Sequence, residues 1–155
     1  MNSIEGKVVY NLPVGKILLI ANTKSLIRVV FLDYESVKLT FKISNNNKIL
    51  EKAEKFLVNY FQKRIWYAFE YIDYENLNPI LREILNIPFG NYLYYSNFEK
   101  FPRAIGKILS SNKLPIFIPC HRVISKKSIG GYTPSPKIKK ILLNHENIIP
   151  FRKLL

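Results

Sequence analysis

Cysteine is nearly missing from this sequence, and its scarcity excludes more than any abundance does. One cysteine in 155 residues cannot close an internal disulfide. With only two histidines beside it, the chain cannot build a structural zinc cage. Disulfide-stapled scaffolds and zinc modules are therefore excluded. Long apolar runs are missing too: stretches such as ILLIA at 17–21 fall far below the ~20 residues of a membrane helix. The opening MNSIEGKVVY has no basic segment followed by an apolar core, so no secretory signal is expected and the expected location is cytoplasmic. Internal repeats and low-complexity tracts are absent. Hydrophobic residues at 48% and charged residues at 23% still describe a folded, globular chain.

Acidic residues are also scarce, with 11 Asp and Glu against 24 Lys and Arg, a formal net charge of +13. The shortage is uneven. Residues 1–75 carry 11 basic and 8 acidic side chains, whereas residues 76–155 carry 13 and 3. A surplus of +10 in one half suits a polyanionic partner for that half, bound through counterion release. It equally suits a lysine-rich chain kept soluble by charge. Charge alone does not separate nucleic acid from an acidic membrane surface.

The chain changes character where its charge does, so two domains are expected, at 1–75 and 76–155. KVVYNL, KILLIAN, LIRVVFL and VKLTFKI are β-branched and aromatic, separated by PVG, NTKS and DYES. They predict four strands in an antiparallel meander. SNNN at 44–47 breaks the pattern and can cap a helix over 48–63, where Ile49, Ala53, Phe56, Leu57 and Tyr60 recur at helical spacing. Trp66, Tyr67, Phe69 and Tyr71 fit core filling better than binding. In the second half, Pro79 starts a short helix that stops before Pro88. Tyr92 to Ser96 reads as a turn. Pro102 starts a second helix, RAIGKILSSN, with Ala104, Ile105 and Ile108 on its apolar face and Arg103 and Lys107 on the other, free to reach phosphates. LPIFIP (114–119) is expected to be extended and buried, and IKKILLNHENI (138–148) to be a closing helix. The predicted fold class is α+β: an N-terminal antiparallel sheet with a packed helix, then a mainly helical domain with a shortened helix-turn-helix.

Cys120 is the residue most suited to chemistry. An intracellular lone cysteine is commonly a small buried hydrophobe. Here Pro119 fixes a turn before it, His121 and Arg122 follow it, and Gly130-Gly131-Tyr132 supplies a backbone that can approach a ligand under an aromatic ring. Consecutive side chains do not face each other, so a water is expected between Cys120 and His121. His121 also needs an orienting carboxylate, and Glu146 is the sole acid after Glu99.

IPCHRVI (118–124), PRAIG (102–106), Asn112, GGY (130–132) and KKILLNHE (139–146) together resemble the O6-alkylguanine-DNA alkyltransferases. The resemblance covers about 79–148, and the first half shares only a sheet-then-helix pattern. Alkyltransferase-like proteins lack the nucleophile, and Cys120 argues against that subclass. The resemblance implies repair by stoichiometric, irreversible transfer of an alkyl group from O6 of guanine, or O4 of thymine, to Cys120. It implies His121 as the water-linked base, Glu146 as its orienting carboxylate and Asn112 as the hinge asparagine. Arg103 becomes the finger that replaces the flipped base, with Ala104, Lys107 and Arg122 also at the DNA. Tyr95 turns the target phosphate and donates to the guanine. Val123 offers a carbonyl to the base, and Tyr132 and Thr133 close over it. The implied partner is double-stranded DNA containing O6-alkylguanine, bound by a monomer, away from membranes and with no cofactor or metal.

Two departures stand out. Only seven residues separate Tyr95 from Arg103, fewer than the family usually has, so the first helix of the helix-turn-helix is expected to shrink to about a turn or become a loop. Tyr94 is then a possible substitute for Tyr95. The loop after Tyr132 reads TPSP where the family usually has glycines, and its prolines should stiffen it. Two other function classes compete. A cysteine hydrolase would need an oxyanion hole and a histidine in direct contact, and it would turn over. A non-catalytic DNA-binding or damage-sensing protein would be indifferent to loss of Cys120.

Overall fold

The computed structural model describes residues 3–63 and 67–148, and Trp66 lies outside them. The chain divides into two compact units, Met1–Asn76 and Leu77–Leu155. Among the described residues no helix is long and apolar enough to cross a membrane.

In the first unit, β1 (Glu5–Leu12), β2 (Gly15–Ala21) and β3 (Leu26–Phe31) form the expected antiparallel meander. The fourth strand departs from it. β4 is only Lys42–Ile43 and pairs parallel to β1, giving the order β3-β2-β1-β4. The chain must cross the sheet to reach that far edge. On the way Val37, Leu39 and Phe41 pack on the Leu18, Ile20 and Val30 cluster. The alternation in VKLTFKI therefore records burial against a sheet face, with almost no ladder of its own. Phe41 passes so close to β1 that a Cβ on Gly6 would lie 2.6 Å from its ring.

α1 (Lys48–Phe61) begins where the Asn47 side chain accepts the Leu50 N–H at 3.0 Å. Ile49, Leu50, Ala53, Phe56, Leu57 and Tyr60 are buried, and the helix packs on β1, β2 and β3. Of the aromatic residues after it, Tyr67 is exposed, whereas Phe69 and Tyr71 are tied into the fold. Phe69 is buried against Phe56 at 5.7 Å between centroids, and the Tyr71 carbonyl accepts the Leu26 N–H at the start of β3.

The second unit is mainly helical. α2 (Pro79–Ile84) is capped by Asn78, α3 (Pro102–Ser110) starts at its proline, and α4 (Pro136–His145) is capped by Ser135. α4 starts and ends earlier than the 138–148 pattern predicts: Pro136 opens the helix instead of stiffening the loop before it. β5 (Leu93–Tyr94) pairs in parallel with β6 (Val123–Ile124), in place of the turn that the sequence predicts. Before α3 stands one 3-10 turn, Tyr95–Asn97, closed by the Asn97 side chain accepting the Tyr94 N–H at 2.8 Å. That turn stands where the sequence predicts a shortened first helix.

LPIFIP is buried as expected but is not extended. The Ile118 N–H returns to the Leu114 carbonyl at 2.8 Å, and Ile116 sits at φ 74°. A β-branched residue in the left-handed region is strained. The loop has to turn sharply to set Cys120 down beside α3.

Candidate active site

The turn continues directly into Cys120. Cys120–Arg122 form one 3-10 turn after Pro119, closed by the Arg122 N–H on the Pro119 carbonyl at 3.0 Å. Asn112 braces it from the end of α3. Its side-chain N–H donates to the Ile118 carbonyl at 2.9 Å, and its oxygen accepts the Leu114 N–H at 2.9 Å. Cys120 opens into a cavity of about 500 Å³. Pro102, Arg103, Gly106 and Ser110 of α3 line one wall, and Tyr95, Gly131, Tyr132 and Thr133 line others. Six of the expected site residues thus share one cavity: Cys120, Asn112, Tyr95, Arg103, Tyr132 and Thr133. Tyr94 does not line it and packs on Tyr92 instead, so of the two tyrosines only Tyr95 lines the cavity. Gly130, at φ 82°, lets the loop pass Tyr95, since a Cβ there would stand 2.7 Å from the phenol oxygen.

Beneath the cavity lies a buried polar network. His121 and Arg122 have no exposed side-chain surface, and neither has Glu146. The Glu146 carboxylate meets His121 Nε2 at 2.5 Å and accepts Arg122 Nε at 2.7 Å, Arg122 Nη2 at 3.1 Å and the Gly90 N–H at 2.9 Å. A third guanidinium nitrogen of Arg122 donates to the Ile87 carbonyl at 2.7 Å. This corrects the expectation that Arg122 contacts DNA. Its donors face inward, and it holds Glu146 in place instead. Ala104 is half-buried in α3, and Lys107 is exposed.

Burial sets the proton positions. It pushes the Cys120 thiol up, against the opposing pull of Asn112, the Lys139 charge and Tyr132. Burial outweighs the nearby cations, so a base must remove the proton. Burial pulls His121 down, despite Glu146, so the imidazole is neutral and able to accept. With Nε2–H directed at Glu146, Nδ1 is the accepting nitrogen. Burial pushes the Glu146 carboxyl up, but His121 and Arg122 outweigh it and hold it below the usual carboxylate range. Burial, then the Cys120 charge, raises the Tyr95 phenol, which keeps its proton as a donor.

Lys139 is the residue that sequence reasoning missed. It is fully buried, and its ammonium donates to the Val123 carbonyl at 2.8 Å and the Gly131 carbonyl at 3.2 Å. It therefore ties the strand after Cys120 to the loop that rims the cavity. Val123, expected to offer its carbonyl to a base, already gives that oxygen one hydrogen bond here, with a second lone pair left. Burial lowers Lys139 to about 8. The available signal was its position three and four residues before Leu142 and Leu143, on the apolar face of α4.

Comparison with known proteins supplies the family and the fold. The model of the 6-O-methylguanine DNA methyltransferase DNA-binding domain matches residues 60–148, over half of the chain. The chain belongs to this family. The family's ribonuclease-like domain matches residues 7–70, so membership reaches well into the half where the motifs were silent. Similar proteins include the methylated-DNA--protein-cysteine methyltransferase of Methanocaldococcus vulcanius, 42% identical over 90 residues, 52% of this chain and 56% of that one. That of Archaeoglobus fulgidus is 43% identical over 79 residues, 44% of this chain and 54% of its own. The chain spans about half the length of the curated relatives it matches. Among solved structures, Mycobacterium tuberculosis O6-methylguanine methyltransferase superposes with a TM-score of 0.75 at 21% identity, covering 96% of this chain and 94% of that one. Mycobacterium tuberculosis OGT in complex with DNA gives 0.76 at 22%, covering 93% of each. These two share the fold.

Proposed function

We propose that the protein repairs DNA by taking an alkyl group from O6 of guanine onto Cys120, once per molecule. The observation that carries this reading is Cys120 opening into a cavity walled by α3, above the neutral His121 and ionised Glu146. Residues 76–155 bind the duplex and hold the acceptor. The partner is double-stranded DNA with an O6-alkylguanine, bound by a monomer. A lone reactive thiol is kept reduced in the cytoplasm, where we place the reaction.

The mechanism is built from these parts. The base leaves the stack at a cost of a few kcal/mol. Arg103, exposed at the start of α3, takes its place in the duplex. His121 Nδ1 accepts the Cys120 proton through a water. The thiolate attacks the saturated alkyl carbon; the S–C bond forms as the C–O6 bond breaks, and its electron pair stays on the guanine. Tyr95 donates a hydrogen bond to that growing charge. The product is a thioether, and the site has no group able to cleave it.

The alternatives make different predictions. Incubated with excess duplex containing O6-methylguanine, the intact protein should gain one methyl on Cys120 and stop. Repeated turnover would favour a hydrolase, and an unmodified Cys120 would favour a passive DNA binder; either overturns the proposal.

A further inference from the structure

The start of α3 carries a side chain that the fold does not use. Phe101 exposes 85% of its surface, whereas Phe98, three residues earlier, is buried. It holds the position just before Pro102, where Asn, Asp, Ser or Thr would accept a backbone N–H. The other long segments obey that rule, with Asn47 before α1 and Ser135 before α4. Phe101 makes no capping bond. The residue therefore costs stability twice, through a missing cap and through apolar surface left in water.

Its backbone is nonetheless fixed. The Phe101 carbonyl accepts the N–H of Ala104 at 2.9 Å and of Ile105 at 3.1 Å, and the Pro102 ring fixes φ at the first helical position. The ring of Phe101 stands on a preorganised base at the rim of the cavity, because the next two residues, Pro102 and Arg103, line it. Cations flank it: Lys100 and Arg103 are exposed on either side and Lys107 is exposed further along α3, against one exposed acid, Glu99. Gly106 lines the same cavity from mid-helix, with nothing within 4 Å of where a Cβ would stand. Glycine weakens a helix interior, so here too α3 gives up stability and leaves room for something from outside.

We infer that Phe101 is an aromatic wedge that enters the base stack beside the extruded nucleotide. This rests on the alkyl-transfer reading and adds a residue to it. A nucleic acid offers apolar base faces inside a rim of phosphates, the complement of one ring flanked by Lys100 and Arg103. A second copy of this chain would bring like charges together. An apolar side chain in a base step partly unstacks it, which lowers the remaining cost of extruding the neighbour. The wedge also gives this end of α3 a hold on the duplex where the single Tyr95–Asn97 turn stands in for a full helix.

The test measures alkyl transfer by the full chain on two substrates, duplex containing O6-methylguanine and the free O6-methylguanine base. Phe101→Ala should slow the duplex reaction about tenfold, the loss of one base–aromatic stack, with Phe101→Trp restoring it. The free-base reaction should be unchanged in both. A 2-aminopurine beside the lesion should brighten with wild type and less with Phe101→Ala. Equal duplex rates for wild type and Phe101→Ala overturn the wedge. So does an equal loss on both substrates, or a change of oligomeric mass in Phe101→Ala without a duplex defect. If wild type reacts with neither substrate, the alkyl-transfer reading itself fails.

Discussion

A lysine with no exposed surface is explained only by what its ammonium touches. Lys139 holds two carbonyls, and its charge draws the Cys120 thiol down while burial pushes it up. The site uses the cation although the fold suffers from it. The folded value is about 8 against an ordinary 10.5. Between those values the unfolded chain binds more protons, so this group makes stability rise with pH across that window. The charge burial costs about 3 kcal/mol at neutral pH. Lys139→Met should therefore slow alkyl transfer several-fold at neutral pH and move the rise in rate to higher pH. Its stability relative to wild type should be greatest below pH 8 and decline toward 10.5. Denaturant midpoints of both proteins at pH 7 and pH 10, with pH–rate profiles, check this. A stability difference that did not move with pH would show that Lys139 is not the titrating group.

At the scale of elements, the turn before Cys120 sets two effects against each other. Glycine at Ile116 would relieve left-handed strain worth about 1–3 kcal/mol. It would also remove a fully buried isoleucine side chain, at about 2–5 kcal/mol, and add backbone freedom to the unfolded chain. The cavity wins. Ile116→Gly should lower stability by about 2 kcal/mol in chemical denaturation, and an equal or higher midpoint would mean that strain dominates. The same turn shows what a sequence can convey. That 114–119 is buried was legible in its apolar residues, but its sharp bend was not, since Ile116 is among the least suited to φ 74°. α1 was readable because periodicity and the Asn47 cap agree. β4 was not, because alternation reports a buried face and is silent about which edge supplies the hydrogen bonds. In the site, the PCHRV motif exposed Cys120 and His121, and the scarcity of acids pointed to Glu146. Arg122 and Lys139 were hidden by their type, since long basic side chains default to solvent and only tertiary contacts reveal the exceptions.

Across the whole molecule, charge is distributed unlike hydrophobicity. Both halves form cores, yet +10 of the +13 excess positive charge belongs to residues 76–155. Part of that excess never meets solvent, because Arg122 and Lys139 are buried. The phosphate contacts of the proposed complex must then come from exposed cations such as Arg103 and Lys107 of α3. Each such contact releases condensed counterions, so duplex affinity should fall as a power of salt concentration. Lys107→Ala should weaken binding to any duplex sequence alike and reduce the slope of log K against log salt by about 0.9. Lys24, exposed on the first unit, provides the control. Lys24→Ala should leave the slope unchanged, and reaction with the free base should be insensitive to salt in all three proteins. Fluorescence titrations with one duplex over a salt series make the measurement. Equal changes for Lys24→Ala and Lys107→Ala would mean that the net charge of the whole chain attracts DNA without a defined face. A change confined to Lys107→Ala places the duplex on α3, the helix that walls the Cys120 cavity.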